Sequence, residues 1–348
     1  MMRNILLGLG VIGVSLIACQ KESTMESIDK IDAHIHIRYG GTEVLQTAAA
    51  NNFQLINILV DHNGFSEQAA WAKAQEEIDD GHIKTITTFS MVDWTNPGWQ
   101  QSVIDQLAQD FEDGAIAVKV WKNIGMVERK PDSSFLMIDD PVFDPIFAFI
   151  AKEGKVLTGH IGEPRDCWLP LDEMIAESNR GYYSRNPQYH MALHPEFPAY
   201  EDHIEAVKRM LRKHSDLRYV GCHLASLEWS PSEMAKFLDE FPNAAIDMSA
   251  RIDDLQYLDR QEVRQFCIDY QDRLLYATDL GIRNGDDPNR FCEKLQEVWQ
   301  ENWTYLATDS LVTIRGSETQ AQGLNLPMPV LKKIYAENAR RWYALEGW

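Results

Sequence analysis

A (β/α)8 barrel is the fold class that this sequence predicts, on the strength of three observations. Eight short runs rich in apolar residues recur along the chain, and helical patterns separate them, as expected of parallel strands joined by crossover helices. The 330 residues that follow an apolar N-terminal segment are enough for eight such units with some lengthened loops. Polar residues close several of the eight runs. A doubly wound open sheet is the alternative architecture.

Each of the eight runs has the length and composition of a buried strand, because it is short and rich in Ile, Val, Thr or Leu. In chain order the predicted strands are 31–37, 54–60, 83–90, 115–121, 155–160, 217–223, 244–249 and 273–279. The sequence shows no linker and no low-complexity segment between them. Residues 30–348 are therefore predicted to form a single barrel domain.

Helical patterns fill the gaps between the predicted strands. Residues 100–113 and 201–214 each place apolar side chains on one face at helical spacing. A helix over 140–153 is predicted because an Asp-Pro pair opens the segment and a Gly follows its end. The sequence SPSE at 230–233 has the form of a capping box with Pro in the first turn of a helix.

Two stretches are longer than a simple strand–helix unit requires. Residues 161–200 follow the fifth predicted strand and contain several aromatic, Arg and Pro residues, and residues 280–326 follow the eighth. In a barrel, the segments that follow the strands lie over the catalytic face. Residues 161–200 are therefore predicted to form a lid.

The N-terminal residues have the pattern of a lipoprotein signal peptide over positions 1–18. Arg3 precedes the apolar run 5–18, and the sequence LIAC at 16–19 resembles a bacterial lipobox. We expect Cys19 to be lipidated and residues 19–29 to form a short tether. The protein would then be an exported lipoprotein, periplasmic or anchored at the outer membrane. An ordinary secretory signal is the alternative.

Composition excludes several classes of partner. The chain has 33 Lys and Arg against 53 Asp and Glu, a net charge of −20, whereas nucleic acid binding requires a basic face. Five cysteines are too few for a disulfide-built scaffold. The four cysteines beyond Cys19 are predicted to be buried free thiols, namely Cys167, Cys222, Cys267 and Cys292. A small molecule and the membrane at the lipid anchor remain as partners, and the sequence leaves the oligomeric state open.

Polar residues at the ends of different predicted strands indicate a metal site. His34 and His36 are two apart on the first strand, so their side chains point to the same side. His160 closes the fifth strand, His223 the sixth and Asp279 the eighth. In a barrel, the carboxyl ends of the strands meet at one face, and imidazoles with a carboxylate suit Zn²⁺ or a similar divalent ion.

This pattern resembles the amidohydrolase superfamily of metal-dependent barrels. The stretches GCHLASLEW, FPNAAIDMSAR, YQDRLLYATD and VLKKIYAENARRWY resemble its amidohydrolase-related branch, which includes decarboxylases and lactone hydrolases. The resemblance extends over about residues 30–345. It implies one or two divalent ions, Zn²⁺ first and Mn²⁺ next, but it does not specify a substrate.

The resemblance assigns roles to particular residues. It implies that His34, His36, His160 and Asp279 hold the deeper metal ion. His223 would hold a second ion in a two-metal site, or assist catalysis in a one-metal site. Lys119, near the end of the fourth strand, matches a position at which some members carry a carboxylated Lys that bridges two metals. A plain Lys119 that neutralises a substrate carboxylate or pairs with an acid is the alternative.

Hydrolysis is the reaction that we expect at such a site, on an amide, lactone or other ester of a small molecule. Asp279 would take a proton from the attacking water and pass it to the leaving group, and His223 would hydrogen-bond the carbonyl oxygen. Non-oxidative decarboxylation of a small carboxylic acid is the alternative, and the expected export favours hydrolysis. A non-catalytic ligand-binding lipoprotein is the alternative from another class.

Several further residues are predicted to line the substrate pocket because they follow the strands. An Arg there can clamp a substrate carboxylate, and a Trp can wall the pocket or stack on a ring. The predicted substrate-binding residues are Arg251, Arg165, Trp121, Lys122, Trp168 and His190. Arg283, just past the eighth strand, is a further candidate of the same kind.

Overall fold

The computed structural model describes residues 25–62, 65–79 and 81–348. The predicted signal peptide, Cys19 and the first part of the predicted tether lie outside the described residues. The strands are β1 (Lys30–Arg38), β2 (Phe53–Ile58), β3 (Ile83–Thr88), β4 (Ala117–Val120), β5 (Val156–Gly159), β6 (Arg218–Gly221), β7 (Ala244–Asp247), β8 (Leu274–Leu275), β9 (Gly281–Arg283), β10 (Leu311–Thr313) and β11 (Gln320–Gln322). All eight predicted strand positions therefore contain a strand.

Parallel pairing joins nine of these strands in the order β8-β7-β6-β5-β4-β3-β2-β1-β9. The sheet closes on itself because the segment between β8 and β9 runs alongside β1. Ala33 N–H donates to Tyr276 O at 3.0 Å, Asp279 N–H donates to His34 O at 2.7 Å, and His36 N–H donates to Leu280 O at 2.9 Å. The fold is thus the predicted (β/α)8 barrel, and the open-sheet alternative is wrong.

The eighth predicted strand, 273–279, is the one that differs most from its prediction. The structure divides this edge into β8 and β9, and Asp279 lies between them with φ of +63°. A left-handed residue interrupts a strand, because its peptide groups leave the regular ladder direction. The interruption turns the Asp279 side chain toward the barrel mouth.

A bulge in β1 sets which of its side chains point inward. Between Asp32 and Ile35 the strand advances three residues while β2 advances two, from Leu55 to Asn57. One extra residue in a strand reverses the alternation of side chains beyond it. Consistent with this reversal, Ala33 packs in the interior cluster, whereas Ile35 packs in the outer one.

The barrel interior has an apolar lower half. Inward side chains of all eight barrel positions pack there with the C-terminal segment, which plugs the floor through Trp342, Tyr343 and Leu345. The strand side chains in this cluster are Ile31, Ala33, Ile56, Ile58, Ile86, Ala117, Val156, Val220, Ala245, Leu275 and Ala277. Two residues further along five strands the inward positions become polar, at Lys119, Thr158, Cys222, Asp247 and Asp279. The floor stabilises the barrel, and the upper half is available for chemistry.

Most of the helices surround the sheet, whereas the helix Glu177–Arg185 packs within the layer formed by residues 161–200. The helices are α1 (Glu43–Ala50), α2 (Phe65–Asp79), α3 (Trp99–Glu112), α4 (Asn123–Met126), α5 (Asp144–Lys152), α6 (Glu177–Arg185), α7 (Tyr200–Lys213), α8 (Pro231–Glu240), α9 (Ile252–Leu255), α10 (Arg260–Asp269), α11 (Pro288–Ala307), α12 (Met328–Lys332) and α13 (Asn338–Trp342). The predicted helices over 100–113 and 201–214 are confirmed as α3 and α7. The predicted helix over 140–153 is a 3-10 turn, Pro141–Phe143, followed by α5.

The predicted capping box at 230–233 is confirmed in one half. The Ser230 hydroxyl accepts a hydrogen bond from Glu233 N–H at 3.3 Å, and Pro231 occupies the first turn of α8. The Glu233 carboxylate does not return the bond, because it pairs with Lys236. One side-chain bond therefore caps α8 at this end.

Residues 161–200 form a layer of short 3-10 turns and α6 that has its own small apolar cluster. Cys167, Met174, Tyr183 and Met191 are buried in it. The layer begins directly after His160 at the end of β5, which is the position from which the sequence predicts a lid. Within the described part of the chain, the four cysteines are buried free thiols, as predicted. No helix among the described residues is both long and apolar enough to cross a membrane.

Candidate metal centre

Two β1 histidines and Asp279 meet at the upper end of the barrel interior. Asp279 Oδ1 lies 3.1 Å from His36 Nε2 and 3.4 Å from His34 Nε2. Two ligands of one tetrahedral Zn²⁺ ion, each at the usual bond length, lie about 3.3 Å apart. The three side chains therefore have the separation of a ligand set. The grouping is extended by His223, which with His34 and Asp279 offers ligand atoms all within 4.8 Å of one another.

Outer hydrogen bonds hold the proton of each ring on the nitrogen that faces away from the site. His34 Nδ1 donates to Asp247 Oδ2 at 3.0 Å, and His36 Nδ1 donates to the carbonyl of Ile58 at 2.7 Å. A carbonyl only accepts, so His36 Nδ1 carries the proton and Nε2 keeps its lone pair. Such outer partners fix the tautomer of metal-ligating histidines.

His223 and His160 face each other across the same space. His223 Nδ1 donates to the carbonyl of Ser249 at 3.0 Å, which leaves its Nε2 as an acceptor. That Nε2 lies 3.0 Å from His160 Nδ1. In one tautomer of a neutral His160 its Nδ1 donates to this nitrogen, and in the other tautomer both nitrogens offer lone pairs to a cation. The donor set therefore fits a divalent cation.

Burial and nearby charges keep the rings of His34, His160 and His223 neutral, as metal ligation requires. Burial lowers the pKa of His34, and Lys119 adds to the effect. Burial, with Lys122 and Lys119, holds the pKa of His160 well below its usual value, and burial with His160 does the same for His223. Burial alone would raise the pKa of Asp279, but the neighbouring histidines outweigh it and the pKa lies well below its usual value. The site thus presents neutral imidazoles and an ionised carboxylate.

Lys119 is buried beside these ligands, 1% exposed. Its Nζ lies 2.8 Å from Cys222 Sγ and 3.5 Å from His34 Nε2. No carboxylate among the described residues forms an ion pair with it. His34, Cys222 and Asp247 form a second group of potential ligand atoms on this side. In this second group, His34 and Asp247 are already hydrogen-bonded to each other. The group of His34, His223 and Asp279 therefore has more lone pairs available for an ion.

A cavity of about 600 Å³ opens above the ligands. Its polar and aromatic wall consists of His36, Arg38, His62, Lys119, Trp121, Lys122, His160, Asp279, Arg283 and Asp286. An adjoining cavity of about 840 Å³ shares His62 and Trp121 with it. Trp121 and Lys122 thus lie where the sequence predicts them, and Lys122 pairs with Glu163.

Three predicted substrate-binding residues instead make contacts within the loops. The Arg165 guanidinium stacks on the Trp229 ring at 4.3 Å. Trp168 Nε1 donates to the carbonyl of Pro198 at 3.1 Å, and the His190 ring hydrogen-bonds the carbonyl of Leu169 at 2.8 Å. None of the three lines the 600 Å³ cavity. Trp168 and His190 thus hold the layer 161–200 together, and Arg165 joins that layer to the segment after β6.

Arg251, unlike these three, acts on the histidines of the site. It acts electrostatically on both His160 and His223, and it shares a buried cluster with Glu228 and Asp254. Its Nε is buried without a hydrogen-bond partner among the described residues. One terminal nitrogen donates to the carbonyl of Ala250 at 2.8 Å.

A left-handed turn follows β6 and carries His223 into the site. Residues 223–226 all have φ between +56° and +57°, although none is glycine. This conformation costs about 1–2 kcal/mol for each such residue, and strain of this kind concentrates at functional sites. Gly221 makes room for the turn, because a Cβ on it would lie 2.6 Å from the Cβ of Ala225.

The sequence reasoning missed several residues of the site. Asp247 and Ser249 orient the histidines, and both lie at the end of the seventh predicted strand, where polar residues in an apolar run are the available signal. Arg38 lies two residues beyond His36 on the same strand, and the alternation that paired His34 with His36 extends to it. His62 follows the second strand and carried no signal of its own.

Comparison with known proteins identifies the family. The sequence model of the amidohydrolase family matches residues 31–345, nearly the whole described chain. The chain belongs to the amidohydrolase family. The expectation drawn from the first-strand histidines and the strand-end residues is thereby confirmed at family level. No curated protein matches this amidohydrolase in sequence.

Solved structures with the same fold share little sequence with this amidohydrolase. 2,6-Dihydroxybenzoate decarboxylase from Rhizobium is similar with a TM-score of 0.55 and 14% identity, over 92% of this chain and 100% of that one. A structure of 2,6-dihydroxybenzoate decarboxylase complexed with 2,6-dihydroxybenzoate has a TM-score of 0.53 and 14% identity, over 91% and 99%. An amidohydrolase II has a TM-score of 0.52 and 14% identity, over 91% and 100%. At these identities the likeness shows the fold alone.

Proposed function

We propose that this amidohydrolase is a metal-dependent hydrolase that cleaves an amide, lactone or other ester bond of a small molecule. The observation that carries the proposal is the convergence of ring nitrogens whose tautomers are fixed from outside. Asp247, Ile58 and Ser249 take the outer protons of His34, His36 and His223. Inward lone pairs on buried imidazoles beside an ionised carboxylate are the donor set that a divalent cation such as Zn²⁺ prefers.

His34, His36, His160 and Asp279 would hold the ion, and His223 would hold a second one. A divalent ion such as Zn²⁺ or Mn²⁺, when bound there, lowers the pKa of water and polarises a carbonyl group. Asp279 is ionised and 27% exposed to the cavity, so it is placed to accept a proton from water and deliver it to the leaving group.

The geometry supports the ligand role of His223 over the carbonyl-donor role. Its Nδ1 proton is donated to the Ser249 carbonyl, so the Nε2 of the neutral ring has no proton to donate. A developing oxyanion requires a donor. His223 is therefore proposed as a ligand, and the buried ammonium of Lys119 is the nearer source of positive charge.

Non-oxidative decarboxylation of a small carboxylic acid is a second candidate, and Lys119 favours it. A buried ammonium beside the ligands, without a carboxylate partner among the described residues, suits a substrate carboxylate held at the ion. Carboxylation of Lys119, which would convert it to an anionic bridge between two ions, is the competing role. Metal stoichiometry separates the two roles, because only a two-ion site requires a bridge.

Metal content per chain tests the proposal. We expect one or two equivalents of a divalent metal in the purified protein and a loss of that metal in a His34→Ala/His36→Ala double variant. His82→Ala/His194→Ala is the matched control, since neither of these rings lines the cavity. A folded wild-type protein that takes up neither Zn²⁺ nor Mn²⁺ would contradict the proposal. If the wild type does bind metal, turnover assays with a panel of lactones, amides and aromatic acids, each with and without a chelator, distinguish hydrolysis from decarboxylation.

A further inference from the structure

Two arginines stand side by side at the mouth of the metal cavity. Arg38 ends β1 and Arg283 ends β9, and their Cα atoms are register partners in the parallel pairing of the two strands. Register partners on adjacent strands direct their side chains to the same face of the sheet, with the strands about 4.8 Å apart. Both side chains line the same cavity as Asp279 and His36.

Neither guanidinium has a carboxylate partner among the described residues. Arg38 Nε is buried without any hydrogen-bond partner there, which is costly for a charged donor. Asp286 is the carboxylate nearest in sequence to Arg283, but its Oδ2 accepts the backbone N–H of Arg283 at 2.8 Å. The two like charges also act on each other. An anion between them would satisfy both groups and remove this repulsion.

The charge of the cavity is opposite in sign to that of the protein. The chain carries a net charge of −20, yet Arg38, Arg283 and Lys119 all line the cavity without ion-pair partners among the described residues. Grouping these cations on one wall does not help the chain to fold, because their mutual repulsion would be smaller if they were further apart. A local positive field on a cavity wall concentrates anionic ligands there.

The arginine pair is separated from the metal ligands along β1. Beyond the bulge, His34, His36 and Arg38 form one inward row, and each step of two residues advances about 7 Å. Exposure rises along this row, from 0% at His34 to 18% at His36. A group bound by Arg38 would therefore lie several ångströms above the ion rather than on it.

We propose that Arg38 and Arg283 bind a carboxylate of the substrate, which places a separate lactone, ester or amide carbonyl over His36 and Asp279. This inference rests on the proposed hydrolase function and names its substrate class. The substrate is a small carboxylic acid that carries its hydrolysable bond a few atoms away from the acid group. The clamped carboxylate lies on the acyl side of that bond. Water adds its oxygen to the acyl carbon as the C–O or C–N bond breaks, the alcohol or amine leaves with one proton of that water, and the new acid ionises, so the acyl product is a dicarboxylate.

A carboxylate fits the pair better than a phosphate does. Asp286 lies on the same wall and repels an anion, and Lys122 is already paired with Glu163. The positive charge left on the wall therefore suits a carboxylate with one negative charge better than a phosphate with two. Two guanidinium groups still match the two oxygens of a carboxylate. Inorganic phosphate is therefore a competing probe rather than an equivalent one.

Binding of glutarate, which resembles such a product, tests the proposal without any turnover. Titration calorimetry would compare glutarate with its uncharged diamide and with inorganic phosphate, on metal-loaded and on chelator-treated protein. The variants are Arg38→Gln and Arg283→Gln. Arg290→Gln is the control, because Arg290 is exposed on α11 away from the cavity. Metal content is measured for every variant.

We expect glutarate to bind with or without metal, at least tenfold more tightly than the diamide or phosphate. Each cavity variant should weaken glutarate binding at least tenfold, keep its metal and leave the control unaffected. Unchanged glutarate affinity in both variants, or no binding of glutarate by the wild type, would overturn the arginine clamp. Phosphate binding more tightly than glutarate would overturn the choice of a carboxylate. Failure of the hydrolase proposal would appear separately, as a wild type that binds no metal.

Discussion

At the scale of single residues, the site depends on which atom of each imidazole carries the proton. Asp247 is the clearest example, because it serves His34 and the turn that bears His223 at the same time. Its Oδ2 accepts from His34 Nδ1, and its Oδ1 accepts from the backbone N–H groups of His223 and Ser249. Burial alone would raise the pKa of Asp247, but His34 and these hydrogen bonds hold it far below its usual value. An ionised carboxylate therefore lies directly behind the ligands.

Replacement of Asp247 by Asn is predicted to weaken metal affinity by about 10- to 100-fold. If the amide oxygen keeps the two backbone bonds, the amide nitrogen faces His34 Nδ1. Two donors cannot pair, so His34 would move its proton to Nε2 and lose the lone pair that faces the ion. Equilibrium dialysis with Zn²⁺ measures the effect.

Asp110→Asn is the matched control for this substitution. Asp110 also accepts two side-chain hydrogen bonds, from Thr87 and Gln106, but it does not contact the site. We expect wild-type metal affinity in this control. Equal affinities in Asp247→Asn and the wild type would show that the outer carboxylate does not set the His34 tautomer.

At the scale of elements, the loops above the barrel are joined by a buried cluster of acids around Arg251. Glu228 follows the left-handed turn, is 3% exposed, and accepts the backbone N–H of Arg165 with one oxygen at 2.9 Å. Its other oxygen has no hydrogen-bond partner among the described residues. Burial raises the pKa of Glu228 to about 7, and burial likewise raises the pKa of Asp254 to about 6. The stability of the loop packing around Glu228 and Asp254 should therefore depend on pH.

The pH dependence of stability should differ between the wild type and Glu228→Gln. Folding raises the pKa of Glu228 from 4.5 to about 7, so the folded state holds a proton that the unfolded state releases. The stabilisation is complete below pH 4.5 and is lost as pH rises through about 7. Relative to the variant, the wild type should lose about 3 kcal/mol of unfolding free energy over this window.

Urea unfolding at pH values from 4.5 to 7 measures this difference. Glu293→Gln is the control, because Glu293 is exposed on α11 and its substitution should leave the pH profile of the wild type unchanged. Parallel profiles for the wild type and Glu228→Gln would mean that Glu228 keeps its ordinary ionisation in the folded protein.

At the scale of the whole molecule, the barrel separates stability from chemistry along its axis. The floor is apolar and closed by the C-terminal segment, whereas the upper half carries the proposed metal ligands and the cations that form no ion pair among the described residues. Trp342 is 6% exposed in the floor, and the guanidinium of Arg218 lies 5.1 Å from its ring. A barrel whose floor is packed in this way can tolerate polar and strained residues at its mouth.

Removal of the Trp342 side chain is predicted to cost about 3–5 kcal/mol of unfolding free energy, because Trp342→Ala leaves a cavity in the floor. Denaturant unfolding of the metal-free protein measures the loss. Leu311→Ala, at a residue 63% exposed on β10, should change the free energy by less than about 0.5 kcal/mol. A Trp342→Ala variant as stable as this control would show that the C-terminal segment does not support the barrel.

The sequence by itself determined the fold class, the family and the strand-end histidines with Asp279. Those features depend on local pattern, since the strand period of two and the order of strands and helices are carried by neighbouring residues. The spacing of two residues likewise predicts that His34 and His36 point to the same side of the strand, and the same spacing extends to Arg38.

Only the tertiary structure decided which side chains serve the site. The bulge in β1 reverses the alternation between Ala33 and His34, and it depends on pairing with β2 rather than on local propensity. Asp247 reaches His34 across more than 200 residues of chain. The placement of Arg165 on Trp229 instead of in the cavity likewise depends on how two loops pack. Contacts between distant segments have no local pattern, so a single sequence does not reveal them.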